Sequence, residues 1–228
     1  MTTADSKIRQ ELIDAINVTV SSGIMSKSNH GNMSLRLPGT GAFLMTGLSS
    51  FNLVTPENLV VLDLEGNLVE GEIQATNAEV IQMHAVVYRE RPEVGSVLHT
   101  HSPFATAFAV ASRSLPLFYE AEIRNDIIEG VPLAGFGPRG SGESIANIAK
   151  VLHDYDQIKG LLLENHGVLA FSNNARSAAQ MNMIIEETAQ LALYAEGLGG
   201  PSILTPERAG AAIKRRDDFE AIGTQKAT

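Results

Sequence analysis

The chain has 228 residues, 44% of them apolar, and a formal net charge of −9 from 17 basic and 26 acidic side chains. That length buries a sizeable core, and apolar and charged residues are mixed as in an ordinary globular protein. The acidic balance argues against a nucleic-acid surface, and no basic amphipathic stretch or 18-residue apolar run suggests a membrane. The first residues, MTTADSKIRQ, lack the apolar core of a signal peptide, and with no cysteine there is neither a disulfide framework nor thiolate chemistry. A cytoplasmic location fits these features.

Ile8, Leu12, Ile16 and Val20 recur every four residues, predicting an amphipathic first helix that ends near Ser22 and Gly23. A glycine-punctuated stretch follows. In it MSLRL, AFLMT and LVVLDLEGNLVEG read as strands, the last a hairpin turning at Glu65, Gly66 and Asn67. Thr76 to Glu90 reads as one helix, GSVLHTH as a strand, and Pro103 as the opening of a helix to about Arg113. GVPLAGF then reads as a strand, SGESIANIAKVLHDY as a helix capped by Ser141, and KGLLLENHGVLAFS as a strand pair bent at Asn165, His166 and Gly167. A long helix follows, with Met181, Ile184, Ile185, Thr188, Leu191, Ala192 and Ala195 on one face, and from Thr205 a short surface helix with a frayed end. The order predicts a single layered domain of mixed α and β over residues 1–228, with its core at about 7–198 and a peripheral tail at 205–228.

His99 and His101 lie two apart at the end of an apolar run, so in a strand they project from the same face. His166 stands at the end of another predicted strand, beside a glycine that permits a tight bend. Spacing alone leaves three readings open: a metal site, an acid–base pair, or chance. Three neutral imidazoles with an open fourth position suit a catalytic zinc ion, and imidazole also accepts other divalent metals. His84, on the apolar face of its helix, reads as a hydrogen-bonded core residue and His153 as a surface one; His30 is placed at the same cleft or in an outlying loop. GFGPRGSG lacks the spacing of a dinucleotide site and the lysine of a phosphate loop, and reads as a strand end leading into a helix.

The segments GNMSLRL (31–37), MTG (45–47), RPEVGSVLHTHSPFATAFA (91–109) and LLLENHGVLAF (161–171) resemble, in order and interval, the class II aldolase/adducin superfamily, which includes fuculose-phosphate and ribulose-phosphate aldolases and epimerases. The resemblance covers roughly residues 7–198 and implies a three-layer αβα fold with a central, largely antiparallel mixed sheet flanked by helices. It implies His99, His101 and His166 as ligands of a divalent metal, most naturally Zn2+, with Mn2+, Fe2+ or Co2+ as other candidates. Asn32, Thr46 and Gly47 match positions that help hold a substrate phosphate in the sugar-phosphate members. It further implies a homotetramer with active sites at subunit interfaces.

Two stretches depart from the family pattern. Where the aldolases carry Ser-Ser-Glu, with phosphate-binding serines and an acid–base glutamate, this chain has QATNAEVIQMH, without the serine pair. Glu79 takes the catalytic role as the one carboxylate available there, although it lies one residue further from His84 than the pattern expects. Thr76, Asn77, Ala78 and Glu79 fit a capping box equally well. Thr76 and Asn77 are then anion donors at a helix N-terminus. The second departure places Glu120 where an aldolase tyrosine from a neighbouring subunit donates a proton, with Tyr119 one place earlier and Glu122 close behind.

The implied activity is metal-dependent cleavage of a carbon–carbon bond in a small hydroxy-carbonyl substrate, a sugar phosphate or a small hydroxy or keto acid, through a metal-stabilised enediolate. Decarboxylases, dehydratases and epimerases of the same superfamily are the alternative. A non-catalytic adducin-like interaction domain is the other.

Overall fold

The structure, a computed structural model, describes residues 6–223. Helix α1 (Ser6–Ser21) leads into β1 (Gly31–Leu37) and β2 (Ala42–Thr46), then β3 (Leu59–Asp63) and β4 (Leu68–Glu70). Two helices, α2 (Ala75–Ala78) and α3 (Ile81–Glu90), precede β5 (Ser96–Thr100) and α4 (Pro103–Val110). After α5 (Glu120–Arg124) come β6 (Leu133–Ala134), α6 (Gly142–Asp154), β7 (Gly160–Leu163) and β8 (Gly167–Ser172). The long α7 (Ala175–Glu196) and α8 (Pro206–Gly223) complete the described chain.

The strands form one eight-stranded sheet in the order β4-β3-β2-β1-β5-β8-β7-β6. Every neighbouring pair is antiparallel except β6 and β7, so the sheet is mixed and largely antiparallel, as the resemblance implies. Its central strands are buried on both faces, which is why they read as almost unbroken apolar runs. On one face Phe43, Met45, Val60, Leu62, Val97, Leu169 and Phe171 pack with residues of α3 and α6. On the other, Met33, Leu35, Leu44, Val61 and Leu98 pack with α1 and the start of α7, and Leu162, Val168 and Ala170 pack with α4 and the rest of α7. Helices on both faces make three layers.

Three expected elements come out differently. The helix expected over 76–90 is broken at Glu79 and Val80. Asn77 is buried at the break, where its side-chain amide donates to the Thr46 carbonyl at 2.7 Å. The expected strand GVPLAGF joins the sheet only at Leu133 and Ala134, with Val131 making an isolated bridge to Leu115 and Phe136 turning its amide to the Glu164 carboxylate at 2.7 Å. The tail helix spans 18 residues and is tied to the α5 region by Arg216, which bonds the Ile123 carbonyl and Asp126. Its expected frayed end, at 224–228, lies outside the described residues. No helix among the described residues is long and apolar enough to cross a membrane.

Candidate metal centre and active site

β5 lies between β1 and β8 at the centre of the sheet, with His99 opposite Asn32 on one side and Leu169 on the other. His101 follows the last strand residue, and the chain turns at once into α4 through Ser102 and Pro103. His166 sits in the turn joining β7 to β8, where Asn165 adopts φ 57°, a conformation asparagine tolerates better than most residues. Gly167 makes the approach possible: a Cβ there would lie 2.5 Å from the Thr100 carbonyl oxygen and within 3.2 Å of both the His99 and His101 rings. Residues 67 apart in sequence thus meet at one sheet end.

The three ring centroids are 4.7–5.2 Å apart, and the three ligand nitrogens all lie within 4.8 Å of one another. The His99 Nδ1–H donates to the Val168 carbonyl at 2.9 Å, which fixes the tautomer and leaves Nε2 as the free nitrogen. Burial lowers all three pKa values, because a charged imidazolium is disfavoured away from water. His99 falls well below its ordinary value, with His166 and His101 reinforcing burial and the Val168 carbonyl partly opposing it. His166 drops to about 4 through burial, then the charges of His101 and Arg139, and His101 is lowered by burial, His30 and Arg139. At neutral pH the three rings are uncharged, the form that can ligate a cation.

A narrow pocket of about 60 Å³ opens at the triad and is lined also by His30, Asn32, Ser49, Thr76 and Arg139. A larger groove of about 590 Å³, bounded by residues such as Glu93, Arg124 and Lys159, contains none of the three histidines. Asn32 is held by His84, whose Nε2–H donates to the Asn32 side-chain oxygen Oδ1 at 2.6 Å, while the His84 Nδ1 meets the Ser34 hydroxyl at 2.7 Å. Ser34 in turn bonds the Tyr88 hydroxyl at 2.7 Å, so a buried polar chain sets the Asn32 rotamer. His84 is therefore the hydrogen-bonded core residue expected, and His153 lies exposed on α6.

The other expected site residues divide. Thr76 reaches the pocket, whereas Thr46 is fully buried, with its hydroxyl 3.4 Å from the Met33 amide and its carbonyl taken by Asn77. Gly47 is wedged against the Asn58 and Glu72 carbonyls, and its amide is spent on Asn58 at 3.0 Å. Glu79 does not close a capping box. It stands at the C-terminal end of α2, and its half-exposed carboxylate lies 3.4 Å from the Arg139 guanidinium, which itself lines the pocket. Tyr119 and Glu120 begin α5 away from the pocket of their own chain, with Glu120 paired to Arg124 at 3.2 Å. Glu122 is buried and accepts the Phe118 and Tyr119 amides, so it caps its helix. Arg139 and Ser49 escaped the sequence reading. Ser141 caps α6 as expected, but nothing in GFGPRGSG marked its arginine as a neighbour of His166.

A family model, Class II Aldolase and Adducin N-terminal domain, matches residues 10–193. A 5-deoxy-D-ribulose 1-phosphate aldolase of Bacillus thuringiensis serovar kurstaki is 29% identical over 222 residues, covering 96% of this chain and 98% of that protein. A 5-methylthioribulose-1-phosphate/5-deoxyribulose-1-phosphate aldolase of Rhodospirillum rubrum is 30% identical over 202 residues, 86% of this chain and 85% of the relative. Among solved structures, an L-fuculose 1-phosphate aldolase superposes with a TM-score of 0.82 at 26% identity, covering 93% of this chain and 97% of the other. With its family-like strings folded into one sheet and its three histidines at one pocket, the chain belongs to the class II aldolase and adducin family and is one of its enzymes.

Proposed function

We propose that the protein is a divalent-metal-dependent aldolase that cleaves a ketose 1-phosphate. The carrying observation is the convergence of the His99, His101 and His166 nitrogens within 4.8 Å at the mouth of a polar pocket. The donor set fits the cation: three neutral imidazoles, one with its tautomer fixed by a backbone carbonyl, satisfy what Zn2+ or a similar ion demands. Such an ion, when bound, supplies a Lewis acid for the carbonyl and hydroxyl oxygens of the substrate. The relatives named as ketose 1-phosphate aldolases support the substrate class.

The protein's own groups then bind, orient and move protons. Asn32, locked by His84, presents its amide to the substrate, and Ser49 and Thr76 add hydroxyl donors. Cleavage breaks the bond between C3 and C4: a base takes the C4 hydroxyl proton, an aldehyde leaves, and the electron pair left on C3 is delocalised onto the C2 oxygen until C3 is protonated. Glu79 is the carboxylate closest to this role, one ion pair away from the pocket wall. In the proposed homotetramer, Glu120 or Tyr119 of an adjacent subunit supplies the second proton-transferring group. The described fold is read as one domain, with α8 as its peripheral element.

The test is metal analysis of protein purified without chelators, followed by a cleavage screen over ketose 1-phosphates with detection of aldehyde and triose phosphate. The expected result is about one divalent ion per chain and turnover that a chelator abolishes and the ion restores. Turnover that survives stripping of the metal, or release of carbon dioxide without aldehyde, overturns the reading.

A further inference from the structure

The pocket holding the triad contains one permanently charged side chain among its lining residues, Arg139. Arg139 sits on the loop between β6 and α6, and the following Gly140 adopts φ +74°. A Cβ at Gly140 would stand 2.8 Å from the Glu79 carbonyl oxygen, so glycine is what lets the loop press onto the Glu79 backbone. Two contacts then aim the guanidinium. Its Nη2 donates to the Thr76 carbonyl, and its Nε lies 3.4 Å from the Glu79 carboxylate. The side chain remains 40% exposed, and Nη1 makes no hydrogen bond among the described residues, so donors are left for a ligand.

This cation stands where other oxyanion donors are scarce. The serine pair of the sugar-phosphate members is absent, the Gly47 amide is spent on Asn58, and Thr46 is fully buried. Ser49, Thr76 and Asn32 offer neutral donors only. A divalent oxyanion entering a protein of net charge −9 needs a positive partner, and a planar guanidinium matches phosphoryl and carboxylate groups through two parallel N–H bonds. The competing Glu79 pair is half-exposed on both sides and screened by water, so it is easily exchanged.

We propose that Arg139 is the specificity-determining residue of this site, exchanging its Glu79 partner for the oxyanion of the substrate. The inference rests on the triad pocket being the substrate site. Phosphoryl and carboxylate groups share the required chemistry, and the experiment separates them.

The experiment compares the metal-loaded full-length chain with Arg139→Gln and Arg139→Lys on three substrates: a ketose 1-phosphate, the same ketose without phosphate, and a hydroxy-keto acid of similar length. The readout is the ratio of kcat/KM for each anionic substrate to that for the neutral ketose. Loss of a charge-assisted pair predicts a fall in that ratio of roughly ten- to a hundredfold in R139Q, partly restored in R139K. A fall confined to the phosphate ratio assigns the phosphoryl group, and one confined to the acid ratio assigns the carboxylate. Equal losses on charged and neutral substrates, or none, overturn the proposal. Calorimetric titration with inorganic phosphate is independent of turnover, with binding at least tenfold weaker in R139Q expected. If the unaltered protein cleaves no ketose phosphate but phosphate binding still depends on Arg139, the aldolase reading fails and this one stands. Equal phosphate affinity in both proteins, with unchanged ratios, refutes it.

Discussion

His84 and His99 are alike in most respects that a search for functional residues uses. Both are buried, both keep pKa values far below that of a free imidazole because burial disfavours the charged ring, and both border Asn32. They differ in what their ring nitrogens do. His84 spends both, one on Ser34 and one on Asn32, and has nothing left to offer a ligand. His99 spends Nδ1 on Val168 and keeps its other nitrogen free, in a cluster where His101 and His166 each bring a ligand nitrogen within 4.8 Å. A perturbed pKa marks burial, whereas unspent lone pairs that converge on an opening mark a site.

The sharpest way to break this comparison is to delete one member of each set. Replacing His101 by alanine is expected to remove the bound ion and lower kcat/KM by about 10³-fold or more, since the polarising cation supplies several kcal/mol. The metal-free fold should lose little stability, because among the described residues the removed ring has no hydrogen-bond partner to leave unsatisfied. His84→Ala should do the reverse. It strands the Asn32 side-chain oxygen, cuts the Ser34 hydroxyl off from its imidazole partner in the core and costs about 2–4 kcal/mol, with the ion-to-chain ratio of the folded fraction retained. Elemental analysis beside urea denaturation separates the two. A His84 variant that folds normally but loses the ion would collapse the distinction between them.

The pH dependence of metal-free stability sharpens the same contrast. The His84 pKa is about 3 folded and near 6.5 unfolded, so between these values the unfolded chain holds a proton that the folded chain refuses. Stability therefore falls as pH drops through this window, by about 1.4 kcal/mol per pH unit for one such group. His84→Gln keeps a donor for Asn32 and an acceptor for Ser34 but does not titrate, so it should flatten the slope by that amount. Denaturant midpoints measured from pH 7 to pH 4 provide the check, and an unchanged slope would show that His84 is protonated in the fold.

Much of the fold was legible because its signals are local. The period-four stripe of α1, the alternation that places His99 and His101 on one side, and the Glu65–Asn67 turn all act within a few residues. Gly167 could be read as a bend, but its closeness to the Thr100 carbonyl could not, because that contact joins strands 67 residues apart in sequence. The Glu79 region failed for a related reason. Thr76 to Glu79 satisfies the composition of a capping box, yet the burial of Asn77 under Thr46 and the pull of Arg139 from another loop decide the local conformation. Tertiary contacts override a cap worth about 1 kcal/mol. Arg139 had no signal at all, since a lone arginine between Pro138 and Gly140 reads as part of the passage from a strand end into a helix.

Glu122 supplies the smallest and most discriminating test, because it too carries an unspent buried atom. Its Oε2 accepts the Phe118 and Tyr119 amides, while Oε1 is buried without a partner. Among the described residues no charged side chain pairs with it, so by the same criterion it is structural. Burial raises its pKa to about 7, from 4.5 when unfolded, and the two amides only partly oppose this. The folded chain thus holds a proton between those values that the unfolded chain has released. The stability it contributes is complete below pH 4.5 and is lost as pH rises through 7, opposite in sign to His84. Glu122→Gln keeps an oxygen for the two amides and cannot ionise, so its stability relative to the unaltered chain should climb by roughly 1 kcal/mol from pH 6 to pH 8. Its metal content and the pH profile of kcat should match those of the unaltered chain. A shifted kcat profile would place Glu122 in proton transfer, and convergence of lone pairs would then be too strict a mark of a site.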